Sequence, residues 1–421
     1  MLAISPAFAG RSSNLPAAAS QPLRWRSASI EIAVSTSLTK QNSNIIAGSD
    51  VAGAVKRSFE TWQQVLGPQL VATTSSKNSI SPAGAHGDGI SLITVAQTEE
   101  SVLFFSGDLQ ESPAATRVFY DKRGYITEAD IALNPFQQFS TNGTPGTFDL
   151  EATITHELGH VLGLGHSDVL GASMHEKYGK NGAYGLSSFS ARTLSRDDIS
   201  ELQRLYGSVD SATCCQRIEG KLISPDAKPR TWEVWAEDAQ SGRVQAVAAT
   251  DAEGGFGFAG LTKGSVLLYA QDKKGEEVSQ GELGTVTSTN DVMGISKKVS
   301  PVKADFKLDY LGFNGQLSDI AVVLNAGKEY TIYLGGTNLD PTNLKVGFTT
   351  PYLSVVPKTV KSIDFNSEIS VLTVDVRVDP RTPAGDYTVF VSNAAGMKRY
   401  IIGGITVEDF ANPYSNFSLV D

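Results

Sequence analysis

The chain holds five histidines in 421 residues, and three of them fall within HELGHVLGLGH, residues 156–166. His156 and His160 are four apart, so on a helix their imidazoles share one face, one turn above the other. Glu157 stands beside them, where its carboxylate reaches a water on a bound ion without itself being a ligand. Zinc at a reactive site takes three protein ligands and leaves a fourth position open. His166 is the third candidate, yet a straight helix would carry it away from the other two. Gly163 supplies the remedy, since glycine takes the positive φ that ends a helix and turns the chain back. The competing reading is a chance HExxH on an amphipathic helix with Leu158, Val161 and Leu162 facing a core. Gly163, His166 and a later methionine argue against chance.

The elements that must hold these residues are partly legible. Asp149 is a good N-cap for the histidine helix, and Asn142–Gly146 before it reads as a loop. Trp25–Val34 alternates like a first strand. Asp50 ends a Gly-Ser-Asp cap, after which Val51, Val55, Phe59, Trp62 and Leu66 recur at helical spacing until Gly67-Pro68. Ile90–Ala96 and Val102–Phe105 read as second and third strands, with Arg117–Tyr120 and Ala129–Leu133 as two more around a turn at Gly124. Ser195 and Asp198 form a capping box for a last helix, which Leu194 and Ile199 can staple and Gly207 ends. Its buried stripe is Ile199, Leu202, Leu205 and Tyr206.

Length and charge bound the rest. A chain of 421 residues implies about three domains. Acidic residues number 45 against 35 basic, for a net charge of −10, and no Lys/Arg cluster interleaves with aromatics. Nucleic acid is therefore rejected as a partner. No run approaches the ~18 apolar residues of a membrane span. Residues 1–23 read as a flexible terminus, with Ala7 and Ala9 in the arrangement of a signal-peptide remnant, which points to secretion. Cys214 and Cys215 are the only cysteines and adjacent, so no disulfide framework follows. Residues 208–216 read as a polar linker. Short strands with turn signals follow, fitting two β-sandwiches.

Residues 24–209 resemble the metzincin zinc peptidases, and within them the bacterial matrixin type. His156-Glu157-x-x-His160-x-x-Gly163-x-x-His166, Ser167 and Met174 carry the likeness, followed by Leu194-Ser195-Arg196-Asp197-Asp198-Ile199 and Leu205-Tyr206-Gly207. The resemblance implies one catalytic Zn²⁺ on His156, His160 and His166, with Glu157 as general base. It makes Met174 the methionine turn beneath the metal and has Asp197 and Asp198 brace that turn. It also implies a substrate edge strand over Ala115–Tyr120, including Thr116, Arg117, Val118 and Phe119, that binds extended peptide by β-augmentation. Calcium is a further cofactor in such enzymes, but no specific motif here supports it. Glu176 departs from the family, which usually has proline there in the specificity-pocket wall; Tyr178 is the candidate substitute. His86-Gly87-Asp88 reads as a surface loop, and His175 as facing solvent near the cleft.

Residues 216–308 resemble carboxypeptidase-regulatory-like, transthyretin-type domains through Thr250–Phe258 and Gly260-Leu261-x-x-Gly264. Residues 311–409 resemble immunoglobulin-like IPT/TIG modules through Gly335–Leu339 and Pro383–Tyr387, leaving 410–421 as a tail. The expected fold is thus an α+β (α/β) metzincin domain, with a mixed twisted sheet and three helices, followed by two all-β sandwiches. The function implied is secreted hydrolysis of internal peptide bonds in protein or peptide substrates, with cell-surface or matrix contact open to the β domains. The alternative is a secreted adhesive or scaffold protein with a vestigial metal site; an intact Glu157 argues against it, because a structural zinc site has no use for that carboxylate.

Overall fold

The computed structural model describes residues 22–83, 86–106, 111–177, 179–185, 190–207, 215–226, 228, 230–365 and 369–408. Most of the expected flexible terminus, most of the polar linker, Tyr178, Cys214 and the tail lie outside the described residues. The chain separates into two compact units. One comprises Met1–His166, Tyr178–Leu194 and Leu205–Val209; the other comprises Ser167–Lys177, Ser195–Arg204 and Asp210–Asp421.

In the first unit, β1 (Ser29–Ser35) leads through a single turn, α1 (Thr36–Thr39), to the amphipathic α2 (Val51–Gln63). Asp50 caps α2 by accepting the Gly53 N–H at 2.9 Å. β2 (Gln69–Ser75) and β3 (Leu92–Thr94) then lie parallel to β1 on either side of it. After α3 (Glu99–Phe104) come β4 (Ala114–Tyr120) and β5 (Ile126–Leu133). The sheet order is β2-β1-β3-β5-β4, with only β4 antiparallel to its neighbour, so β4 is an edge. A two-residue pair, β6 (Phe139–Ser140) and β7 (Phe148–Asp149), brings the chain to α4 (Leu150–Val161).

One element differs in kind from the expectation. Val102–Phe105, read as a strand, belongs to α3 and its C-terminal cap. Thr98 caps this helix by accepting the Ser101 N–H, and Glu99 and Glu100 sit where the helix N-terminus favours negative charge. Phe104 and Phe105 are buried while Val102 and Leu103 are exposed, a pairing of neighbours that no period-two strand produces. β2 was not foreseen, and α1 and α3 are short helices beyond the three expected.

α4 is anchored along its length. Trp62 Nε1 donates to the Thr155 carbonyl at 2.7 Å, and Ser58 Oγ donates to that of Glu151 at 3.0 Å. Arg192 clamps the capping Asp149 with two guanidinium nitrogens, at 3.0 and 2.6 Å. At the far end, Trp25 Nε1 takes the Val161 carbonyl at 2.7 Å and the Tyr206 hydroxyl takes that of Leu162 at 2.8 Å. Helix C-terminal carbonyls lack intrahelical partners, so two side chains here do the work of a further turn.

Among the described residues, the helices and strands of the second unit are its share of α5 (Arg196–Tyr206) and otherwise β-strands, with Ser167–Lys177 outside both. A four-stranded sheet, ordered 244–249, 232–238, 264–272 and 282–288, faces a three-stranded one ordered 255–261, 216–223 and 292–298. Val234, Ala246, Val266 and Leu268 from the first meet Ile218, Phe256 and Phe258 from the second in one core. A second sandwich follows, with a six-stranded sheet centred on Glu329–Thr337 and Ser370–Val378. Its four-stranded partner is built on Gly385–Ser392 and Lys398–Glu408.

Candidate active site

α4 carries His156, Glu157 and His160 because its Asp149 cap starts the helix about two turns before His156. It stops where Gly163 takes φ +93°, and a Cβ at that position would lie 2.2 Å from the Leu23 carbonyl oxygen. Both space and conformation therefore demand glycine. The reversal returns His166 to its partners. His160 Nε2 lies 3.1 Å from His156 Nε2 and 3.2 Å from His166 Nε2, and the three ligand atoms lie within 4.8 Å of one another. Zinc with bonds of about 2.0–2.1 Å in tetrahedral geometry sets its nitrogens about 3.3 Å apart, close to the two shorter edges. His160 Nδ1 lies 2.9 Å from the Leu164 carbonyl, which accepts its proton and leaves Nε2 a lone pair for an ion. Burial pushes His160 below its ordinary pKa, offset by that bond. The donor set fits zinc. Among the described residues this trio is the one cluster with metal-holding geometry.

Glu157 is 3% exposed, and burial pushes its carboxyl up to about 7 against the pull of a hydrogen bond from Thr116. That bond runs from Thr116 Oγ1 to Glu157 Oε2 at 2.5 Å. Thr116 lies on the edge strand β4, so the residue expected among substrate contacts directs its side chain at the carboxylate. The rest of that stretch, Arg117 to Phe119, is buried. Arg117 is 2% exposed, donates to Glu100 at 2.6 Å and to the Ser81 carbonyl, and lies over the Phe104 ring at 4.5 Å. Val118 and Phe119 are buried. β4 pairs only with β5 in the sheet, which leaves its other edge without a strand neighbour.

Within the second unit, Asp198 accepts the N–H groups of Ser173 at 3.0 Å, Met174 at 3.2 Å and Ser195 at 2.8 Å. Asp197 accepts the Ser167 hydroxyl at 2.6 Å. Burial raises both carboxyls, Asp198 to about 6 and Asp197 well above its ordinary value. Met174 is 1% exposed, and the Ser167 N–H reaches back to its carbonyl at 2.8 Å to close the turn. His175, expected to face solvent, is half-buried between the carbonyls of Ser167 and Asp319, each 3.1 Å from a ring nitrogen. Its partner 144 positions downstream left no local signal. Glu176 is exposed, as are His86 and Asp88, the last paired with Lys77 at 2.6 Å.

Residues 24–207 match the family model for matrixin (Peptidase_M10). Metalloendoproteinase 1 of Glycine max is 27% identical over 164 residues, covering 37% of this chain and 45% of that protein. Metalloendoproteinase 1-MMP of Arabidopsis thaliana is 28% identical over 38% of this chain and 39% of its own length. Matrilysin of Rattus norvegicus is 37% identical over 70 residues, covering 17% of this chain and 24% of the relative. The chain thus spans less than half the length of these curated relatives. Among solved structures, the major pilin subunit BcpA of Bacillus cereus matches at a TM-score of 0.19 and 14% identity, covering 46% of this chain and 69% of that one. Domains 4 and 5 of the S-layer protein SbsC match at 0.15 and 14%, covering 42% and 70%.

Proposed function

We propose that this chain, whose residues 24–207 form a matrixin domain, is a secreted zinc metalloendopeptidase that hydrolyses internal peptide bonds of protein substrates. The observation that carries the reading is the convergence of three imidazole nitrogens beside a buried carboxylate on the same helix. His156, His160 and His166 would hold the ion. Zinc bound there supplies a Lewis acid that polarises the scissile carbonyl and acidifies water. Glu157 receives the proton of the attacking water and returns it to the leaving amine. Thr116 orients that carboxylate, and the backbone of β4 takes the extended substrate as an added strand. Met174, Asp197 and Asp198 support the chain beyond the third histidine. The proposed modules are a peptidase over 24–209 and β-sandwiches over 216–308 and 311–409. No helix among the described residues is long and apolar enough to cross a membrane.

Purified protein incubated with casein, with and without a zinc chelator, tests this reading alongside Glu157→Ala. The expected result is chelator-sensitive cleavage that the substitution lowers by orders of magnitude while zinc stays bound. Cleavage indifferent to chelator, or full activity in the variant, sinks the mechanism. Tight zinc binding with no cleavage of any protein favours the adhesive or scaffold alternative.

A further inference from the structure

We propose that the C-terminal β region is a positioning element of the active centre, because it grips the turn that leaves the third histidine. Resting on the reading of His166 as a zinc ligand, the inference follows the chain one peptide bond further, to Ser167–Lys177, which belongs to the β-rich unit. Three different kinds of contact hold this turn.

The first is apolar. Val169 is fully buried in a cluster with Trp235, Tyr269, Tyr400 and Ile402. Trp235 stacks on Tyr269 at 5.2 Å and meets Tyr400 edge-on at 4.9 Å, so the turn enters a rigid aromatic socket built by both sandwiches. Gly403 takes φ +61°, and a Cβ there would lie 2.3 Å from Val169 Cγ1, so the strand carries glycine where the turn is seated. The second contact is a backbone bond, from the Leu170 N–H to the Ile402 carbonyl at 3.0 Å. The third is ionic. Lys273 Nζ meets Asp168 at 2.7 Å, with the two side chains 23% and 15% exposed.

Asp197 joins this grip to the residue that follows the third histidine. One of its oxygens accepts the Ser167 hydroxyl at 2.6 Å, and the other accepts the Val247 N–H at 2.6 Å. Val247 lies on the outermost strand of its sheet, so its amide is available to a carboxylate. The residue directly after His166 is therefore tied, through one side chain, to the first β-sandwich. Fixing the residue next to a ligand limits the positions from which that ligand's side chain can approach the ion.

The test uses full-length protein. Lys273→Met and Val169→Ala loosen the grip without touching a histidine or Glu157. Arg230→Met, which breaks the ion pairs of Arg230 with Asp226 and Glu277 in the first sandwich, is the control for general loss of β stability. The first two are expected to weaken zinc retention against a competing chelator about tenfold or more. They should also lower kcat on casein with KM within about twofold, while Arg230→Met leaves both unchanged. Wild-type zinc retention in Lys273→Met and Val169→Ala, or an equal loss in the control, overturns the proposal. Should a variant fail to fold, amide exchange in the wild-type chain decides. The Leu170 and Val247 amides should exchange as slowly as those of the sandwich cores, and rapid exchange at both overturns the grip. If wild-type protein binds no zinc, the reading of the histidines fails instead, and slow exchange still reports the grip.

Discussion

The hydroxyl of Thr116 donates to Glu157 Oε2 across 2.5 Å, joining the edge strand to the carboxylate that the proposed reaction depends on. A hydrogen bond to a charged group contributes about 1.5–3 kcal/mol, and here it selects one carboxylate orientation. Thr116→Val is expected to lower kcat by about tenfold or more with KM little changed. Thr116→Ser, which keeps the hydroxyl, should recover most of the rate. Steady-state kinetics on a peptide substrate would separate the two, and a Val variant that alters only KM speaks against orientation.

The reversal at Gly163 predicts a metal phenotype. Gly163→Ala places a methyl 2.2 Å from the Leu23 carbonyl oxygen at φ +93°. Backbone strain and a clash with main chain combine, and the cost exceeds the roughly 1 kcal/mol of a positive φ alone. Zinc per chain, measured after dialysis, should fall together with the melting temperature. A variant that melts early yet keeps its full zinc contradicts the role of this turn in bringing His166 back.

Tyr206 caps the end of α4 while its oxygen also accepts the Trp25 N–H at 3.1 Å. Tyr206→Phe leaves both groups without this partner, at an expected cost of about 1–2 kcal/mol. Urea denaturation followed by tryptophan fluorescence would show a lower midpoint. An unchanged midpoint means that solvent replaces the cap.

Acidification supplies a fourth prediction. Asp197, Asp198, Glu233, Glu237 and Asp386 are all pushed up chiefly by burial, with Glu237 and Asp386 reaching about 7. A raised carboxyl binds its proton more tightly in the folded chain than in the unfolded one. Its contribution to stability is full below the unfolded value and is lost as pH rises through the folded value. Asp50, Asp88, Asp319 and Asp340 are lowered, so they act in the opposite sense, and only below about pH 4. The melting temperature should therefore fall between about pH 5 and pH 8, less steeply in Asp386→Asn. A flat profile, or a steeper one in the variant, counts against it.

The site was legible in the sequence wherever its determinants are local. The Asp149 cap, the four-residue step of the histidines, the glycine stop and the Ser195–Asp198 capping box are each contained within a turn or two. Local signals failed where tertiary contacts decide. Val102-Leu103-Phe104-Phe105 is an apolar run of strand length, and the core, by taking the two phenylalanines and rejecting the other two, joins the Thr98 cap in selecting the helix. His175 has no sequence feature that names the Asp319 carbonyl as its partner. The same holds for the β region, whose socket for Val169 is built from strands that also read as ordinary sandwich.

Leu170 donates to Ile402, roughly 230 residues further along the chain. At about 5–20 residues per second, the turn leaves the ribosome some 10–50 s before that acceptor exists. Histidine helix and edge strand are complete long before the last strand is made. The order of synthesis therefore delays the finished turn until Ile402 has emerged, a built-in interval in which the nascent chain still lacks part of the scaffold of its histidine site.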